Sequence, residues 1–315
     1  MIRNRPSPRS PRLRSLVAVI GVTALLASSC GGDTAADDER LQVVVTTSIL
    51  GDVVGQIAGN DAAVTVLMQP GQDPHSFQAS AAQAATMQDA DLIVASGLLL
   101  EEGLGAVIES AASAGVSVLS LGEQLDPLPW VGDHEDATFD PHWWLDPVRM
   151  AEAAGIIGEA LAEADPADAG LWSERAATYA AEVRATNDRI VTTLARVPPA
   201  RRRLVTNHNA LRYFAARYGF EIVGTVIPSG TTLASPSPAD LADLVSALES
   251  LGLDAIFAET TQPTALADAV AAEVGRDVEV VELYTGSLGP AGSGAEDYLA
   301  MVTVNADRIV AALAD

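Results

Sequence analysis

Between residues 166 and 196 the apolar side chains fall on one helical stripe. Trp172, Ala176, Tyr179, Val183, Ile190 and Leu194 follow at spacings of four, three, four, seven and four, the period of one face of an α-helix. Asp165 stands where an N-cap belongs, Pro166 at the first helical position, and Pro198 and Pro199 close the run. About thirty residues at 1.5 Å each make a rod of roughly 45 Å. A rod that long runs the height of a small protein, and the chain on either side has to cover its apolar face. A shorter helix is predicted over 148–163, with Asp146 as N-cap and Pro147 at its first position.

The flanking chain reads as two similar arrays. LQVVVTTS (41–48) is a β-branched run, ILGDVVGQIAGN (49–60) has helical spacing, and AAVTVLM (62–68) is a second strand. DLIVASG (91–97) and VSVLSLG (116–122) are further strands. The order recurs in RLVTNHNALRYFAARYGFEIVGTVI (203–227), then DAIFAET (254–260), a helical 264–275 and VEVVELYTG (278–286). Alternating strands and helices predict parallel sheets covered by helices. The fold class is α/β: an N-terminal lobe over 41–145, linking helices over 146–200, and a C-terminal lobe over 201–315.

The first thirty residues serve another purpose. Residues 1–14 hold five Arg and no acid, SLVAVIGVTALLA is a short apolar run, and ASSC ends at Cys30. That is a secretory signal over 1–29; the run is too short for a membrane span of about 20 residues. ASSC resembles a lipobox, which makes Cys30 the lipidated first residue of the mature chain. Ala27 stands where Leu is usual, so ordinary signal-peptidase cleavage is the alternative. Residues 30–40 read as a tether to the anchor. The mature chain would keep thirteen Arg against 42 acids, a net charge of −29. Such a surface repels nucleic acid and attracts cations. One Cys excludes an internal disulfide framework. All 18 basic residues are Arg, which excludes chemistries built on Lys.

Three of the four His fall in turns at strand ends or helix starts. His75 lies in PGQDPHSFQAS, His142 in DPHWWLDP and His208 in LVTNHNALRYF. Ligands of open α/β sheets bind at the carboxyl ends of strands. Brought together between two lobes, these residues form a three-imidazole site, a donor set suited to zinc. His134, in GDHED, is a solvated residue of an acidic loop with an accessory metal-collecting role as its alternative.

PGQDPHSFQAS, DADLIVASGLLLEEGL, DPHWWLDP, VTNHNALRYFAARYGFEIVG and YTGSLGPAGSGAEDYLAMVTVNADRIVAAL together resemble the metal-binding lipoproteins of ABC importers for zinc and manganese, over about residues 41–315. The resemblance implies two α/β lobes on one long backbone helix, a metal ion between them, and His75 and His142 as ligands. The third ligand is His in zinc-type members and Glu in manganese-type members; here it is His208. The fourth is often Asp in a T-D-S-[LI] motif, where this chain has Gly286 between Thr285 and Ser287. Water or another carboxylate must then complete the set, and Glu259, at the end of DAIFAE, is the candidate donor, with support behind a ligand or a helix cap as its equal alternative. Asp73 and Asp140 are turn residues or partners of the ligands.

The function that follows is a non-enzymatic, extracytoplasmic carrier, periplasmic or lipid-anchored. It captures Zn2+ and hands it to an ABC permease as a monomer, with a metallochaperone as a candidate donor. A manganese- or iron-binding member of the same family is one alternative. A zinc hydrolase is another, with Glu259 as general base, although no HExxH pair is present. A structural lipoprotein would leave the three His unexplained.

Overall fold

The computed structural model describes residues 40–130 and 138–314; the signal segment, Cys30 and most of the tether lie outside them. Two four-stranded parallel sheets are present. The first is built from β1 (Leu41–Val45), β2 (Ala62–Val66), β3 (Leu92–Ala95) and β4 (Ser117–Ser120), in the order β2-β1-β3-β4. The second is built from β5 (Arg203–Thr206), β6 (Glu221–Thr225), β7 (Ala255–Glu259) and β8 (Glu279–Leu283), in the order β6-β5-β7-β8. The duplicated order of the sequence is therefore a duplicated topology. The strands of the first sheet are shorter than their apolar runs, because residues such as Thr46 and Ser96 lie beyond the strands, where the chain turns toward the next helix.

The pleat sorts side chains into two kinds of core. Val43, Val45, Leu92 and Val94 of the first sheet and Leu204, Ala255 and Phe257 of the second face one continuous apolar core. Their neighbours Val44 and Ile93 turn outward against Met68, Met87 and Leu104. Val205, Ile256 and Ala258 likewise turn outward against Leu244 and Leu248. Each sheet thus has a private outer core and shares its inner one.

α2 (Ala81–Gln88) and α3 (Gly105–Ser113) cover the outer face of the first sheet, α7 (Pro238–Leu251) and α8 (Ala265–Glu273) that of the second, and other helices fill the shared core. α1 (Ser48–Ala58) follows β1, capped by Thr47, whose side chain accepts from the Leu50 amide. α4 (Pro147–Ala164) starts as the sequence predicts, with the Asp146 carboxylate accepting from the Val148 amide and Pro147 in the first turn. The long helix, α5 (Ala169–Leu194), begins three residues later than expected. Asp165 does not cap it: its backbone N–H closes α4 on Leu161 and its carboxylate accepts from the Ala167 amide, so Asp165 and Pro166 form a turn between the two helices. At 26 residues the rod is about 39 Å long. Its predicted stripe is the face it buries, from Trp172 to Leu194. The C-terminal helix, α9 (Tyr298–Leu313), packs on α5 as well as on its own lobe, and the Tyr298 amide donates to Asp52 of α1 at 2.9 Å. No described helix is long and apolar enough to cross a membrane.

α4 and α5 lie against each other through small residues. A Cβ on Gly158 would come within 2.4 Å of Ala176 Cβ and 3.2 Å of the Trp172 carbonyl oxygen. Gly158→Ala should force the helices apart at a cost of about 1–3 kcal/mol, lowering the melting temperature by roughly 2–10 °C. A thermal melt identical to that of the parent protein would contradict this contact.

Candidate metal centre

Parallel strands put all their carboxyl ends on one edge, and the loops leaving those edges meet between the sheets. His75 lies in the loop after β2. His142 immediately precedes the short 3-10 turn Trp143–Leu145 that leads into α4, and His208 lies in the loop after β5, before α6 (Arg212–Tyr218). All three are almost fully buried. Their Nε2 atoms converge: His142 Nε2 is 3.2 Å from His75 Nε2 and 3.0 Å from His208 Nε2. Among the described residues this is the group of side chains able to hold a metal ion. His134 lies outside the described residues.

Two of the three histidines are presented by the same local device. Asp73-Pro74-His75 and Asp140-Pro141-His142 repeat one tripeptide. In both, Oδ1 of the Asp accepts the backbone N–H of the His, at 3.1 Å and 3.0 Å. The Asp side chain closes a tight turn that the proline between has already stiffened. Their reading as turn residues and ligand partners agrees with this geometry.

A carboxylate stands behind each ring. Asp140, fully buried, accepts from His142 Nδ1 at 2.8 Å. Its second oxygen lies 3.4 Å from the Arg212 guanidinium, and its carbonyl accepts from the Tyr213 hydroxyl. Glu259 is bonded to His208 Nδ1 through Oε1 and accepts from the Thr285 hydroxyl at 2.8 Å through Oε2. Glu102 stands 3.7 Å from His75 Nδ1. It is brought there by the loop after β3, in which Leu98 and Leu99 take left-handed backbone at φ 55° and 64°. The buried Glu101 holds that loop by accepting from the amides of Ser96 and Gly97. Glu259, expected to face the ion as a fourth donor, has both oxygens engaged behind His208. Gly286 offers no side chain, and a Cβ there would sit 3.2 Å from Pro74 Cδ.

The charges of His142 and His208 differ accordingly. Burial pushes His142 down to about 4, against the pull of Asp140, so it stays neutral. With its Nδ1 proton given to Asp140, its Nε2 presents a lone pair to the other two rings. Burial also acts to lower His208, but the charge and hydrogen bond of Glu259 outweigh it and the net shift is upward. Burial acts to raise Glu259, but the His208 charge and hydrogen bond hold it down at about 2. The centre thus sets a neutral acceptor ring beside a ring whose protonated form Glu259 favours.

The wider setting fastens the His142 segment to the C-terminal lobe. Asp146, the cap of α4, makes a two-pronged ion pair with Arg217 of α6 at 2.7 Å and 2.7 Å. Trp144 Nε1 donates to the Thr285 carbonyl. Thr285, Arg212, Tyr213 and Arg217 carry no recognisable spacing signal, and sequence reasoning gave them no such role.

Comparison with known proteins agrees with this architecture. The family profile described as ZnuA, zinc-uptake complex component A periplasmic, matches residues 43–312. The manganese-binding lipoprotein MntA of Halalkalibacterium halodurans is 33% identical over 298 residues, covering 94% of this chain and 97% of that protein. The zinc-binding protein TroA of Treponema pallidum is 32% identical over 308 residues, covering 96% and 98%. The iron-binding protein YfeA of Yersinia pestis is 29% identical over 308 residues, covering 97% and 96%. The solved structure of the Treponema pallidum periplasmic zinc-binding protein TroA superposes with a TM-score of 0.81 at 31% identity, covering 88% of this chain and all of that one.

The ring charges are directly measurable. In the metal-free protein, nitrogen NMR of the imidazoles should find His142 neutral with its proton on Nδ1 down to about pH 4. His208 should keep both protons to a pH above the ordinary histidine value, and Glu259→Gln should remove that elevation. Because the folded value of His208 is raised, its contribution to stability is full below the unfolded value and is lost as pH rises through the folded one. A His208 that titrates at or below the ordinary value would refute the pairing with Glu259.

Proposed function

Because the chain belongs to the family of periplasmic zinc-uptake components, matched from residue 43 to residue 312, we propose that it captures Zn2+ between its lobes and delivers the ion to an ABC permease. The family consists of carriers rather than enzymes and works outside the cytoplasmic membrane. The observation that carries this reading is the convergence of three imidazole nitrogens, with His142 Nε2 3.2 Å from His75 Nε2 and 3.0 Å from His208 Nε2. Tetrahedral zinc with bonds of 2.0–2.1 Å holds neighbouring nitrogens about 3.3–3.4 Å apart, close to that spacing.

The relatives' names divide among manganese, zinc and iron, so the donor set has to decide. Three neutral nitrogens, with His208 where a carboxylate would favour manganese, form the softer set that suits zinc. In this reading His75, His142 and His208 are the ligands. Asp140 and Glu259 fix the ring orientations and keep the ligand nitrogens facing inward. Water completes the fourth position beside Gly286. Loading displaces the Nε2 proton of His208, so the affinity falls as pH drops through the raised value of that ring. The lipidated Cys30 holds the carrier at the membrane, and the acidic mature surface draws cations toward it.

His142→Ala should weaken zinc binding about tenfold or more, read by competition with a chromogenic chelator. Unchanged affinity would remove the three-histidine assignment. Zinc should also raise the melting temperature more than manganese does, since a ligand bound only by the native state adds about 4 kcal/mol at a thousandfold excess over Kd. A larger shift with manganese would overturn the choice of ion.

A further inference from the structure

The turn that carries His75 is gripped by the opposite lobe. The Gly71 amide donates to the Ser287 hydroxyl at 2.7 Å, in the loop after β8. Gly286, in the same loop, lies against Pro74. Between these contacts is Asp73, with 8% of its surface exposed. Its two oxygens face different lobes. Oδ1 accepts from the His75 amide of its own turn. Oδ2 accepts from the Thr232 hydroxyl at 2.6 Å and from Gln262 Nε2 at 2.8 Å. Thr232 follows β6 and Gln262 follows β7, so both donors belong to the C-terminal lobe.

We propose that Asp73 is a positioning residue that couples retention of the ion to the clasping of the two lobes: one oxygen sets the backbone of the ligand His75, and the other ties that backbone to Thr232 and Gln262 across the cleft. Hydrogen bonds to an ionised carboxylate are stronger than neutral ones, and both donors reach an oxygen shielded from water. While the clasp is closed, the His75 turn cannot swing away from His208. Opening it frees the turn, and with it one of three ligands. The clasp therefore acts on how fast the ion leaves, more than on how fast it arrives. This inference rests on the carrier function proposed above.

The donors on the far lobe allow a test that leaves His75 untouched. Thr232→Val and Gln262→Met remove the donated protons at nearly constant volume. Ion release into excess EDTA should quicken roughly tenfold for each variant, with association changed by less than about twofold. In an Asp73→Asn background Thr232→Val should have little further effect, because the partner it loses is already altered. A merely structural role would instead destabilise the metal-free and loaded proteins alike and give accelerations that multiply. Release at the parent rate, or multiplying effects, would overturn the clasp. If Thr232→Val does not fold, Gln262→Met decides alone. If the parent protein retains neither Zn2+ nor Mn2+, the carrier reading fails, and amide exchange of residues 229–233 in the metal-free variants becomes the criterion. Faster exchange than in the parent supports the clasp, and equal exchange refutes it.

Discussion

Val43 and Val45 of one sheet and Leu204 and Phe257 of the other press into the same apolar core, with Trp143, Trp172, Tyr213, Tyr298 and Ile309 between them. Burial of that surface is the main force holding the lobes as one body. The centre depends on it. Three histidines lie on three loops far apart in the chain, and their Nε2 atoms meet only because the carboxyl edges of the two sheets are held at a set spacing. α4, α5 and α9 fill that core between the sheets.

Burying three imidazoles together is electrostatically awkward, and the fold answers by giving each ring its own carboxylate. Glu102 stands behind His75, Asp140 behind His142 and Glu259 behind His208. Each of these acids lies in the same lobe as its ring; hydrogen bonds to Nδ1 orient His142 and His208 within their own lobes, and only the Nε2 atoms have to find one another across the cleft. Asp140 and Asp73 do more. Both also reach groups of the C-terminal lobe, through Arg212 in one case and through Thr232 and Gln262 in the other.

The parts of this arrangement that were legible in sequence are those with a period or a fixed offset. The stripe from Trp172 to Leu194 announces the long helix, the β-branched runs announce parallel sheets, and the turns at strand ends and helix starts mark where the three buried histidines sit. The start of α5 was misread because Asp165-Pro166 satisfies the rule for a helix beginning and here serves a turn; Asp168 takes the N-cap place with no side-chain bond. Glu259 was recognised as important, but whether a strand-end carboxylate faces an ion or backs a histidine depends on a contact over 51 residues. Thr285, Arg217 and the left-handed Leu98 and Leu99 had no local signature, because tertiary contacts alone define their roles.

The shared inner core also limits what a docking partner can learn. Two lobes welded by one apolar interior have no wide swing with which to announce that an ion has arrived. Occupancy has to be reported in a few side-chain contacts at the cleft mouth, a low-amplitude message. A receiver that responds to such a message must read the surface closely at short range, and it gains little from sensing the carrier's gross outline. Loaded and empty carriers would then compete for the same dock almost as equals, leaving discrimination to the step after contact.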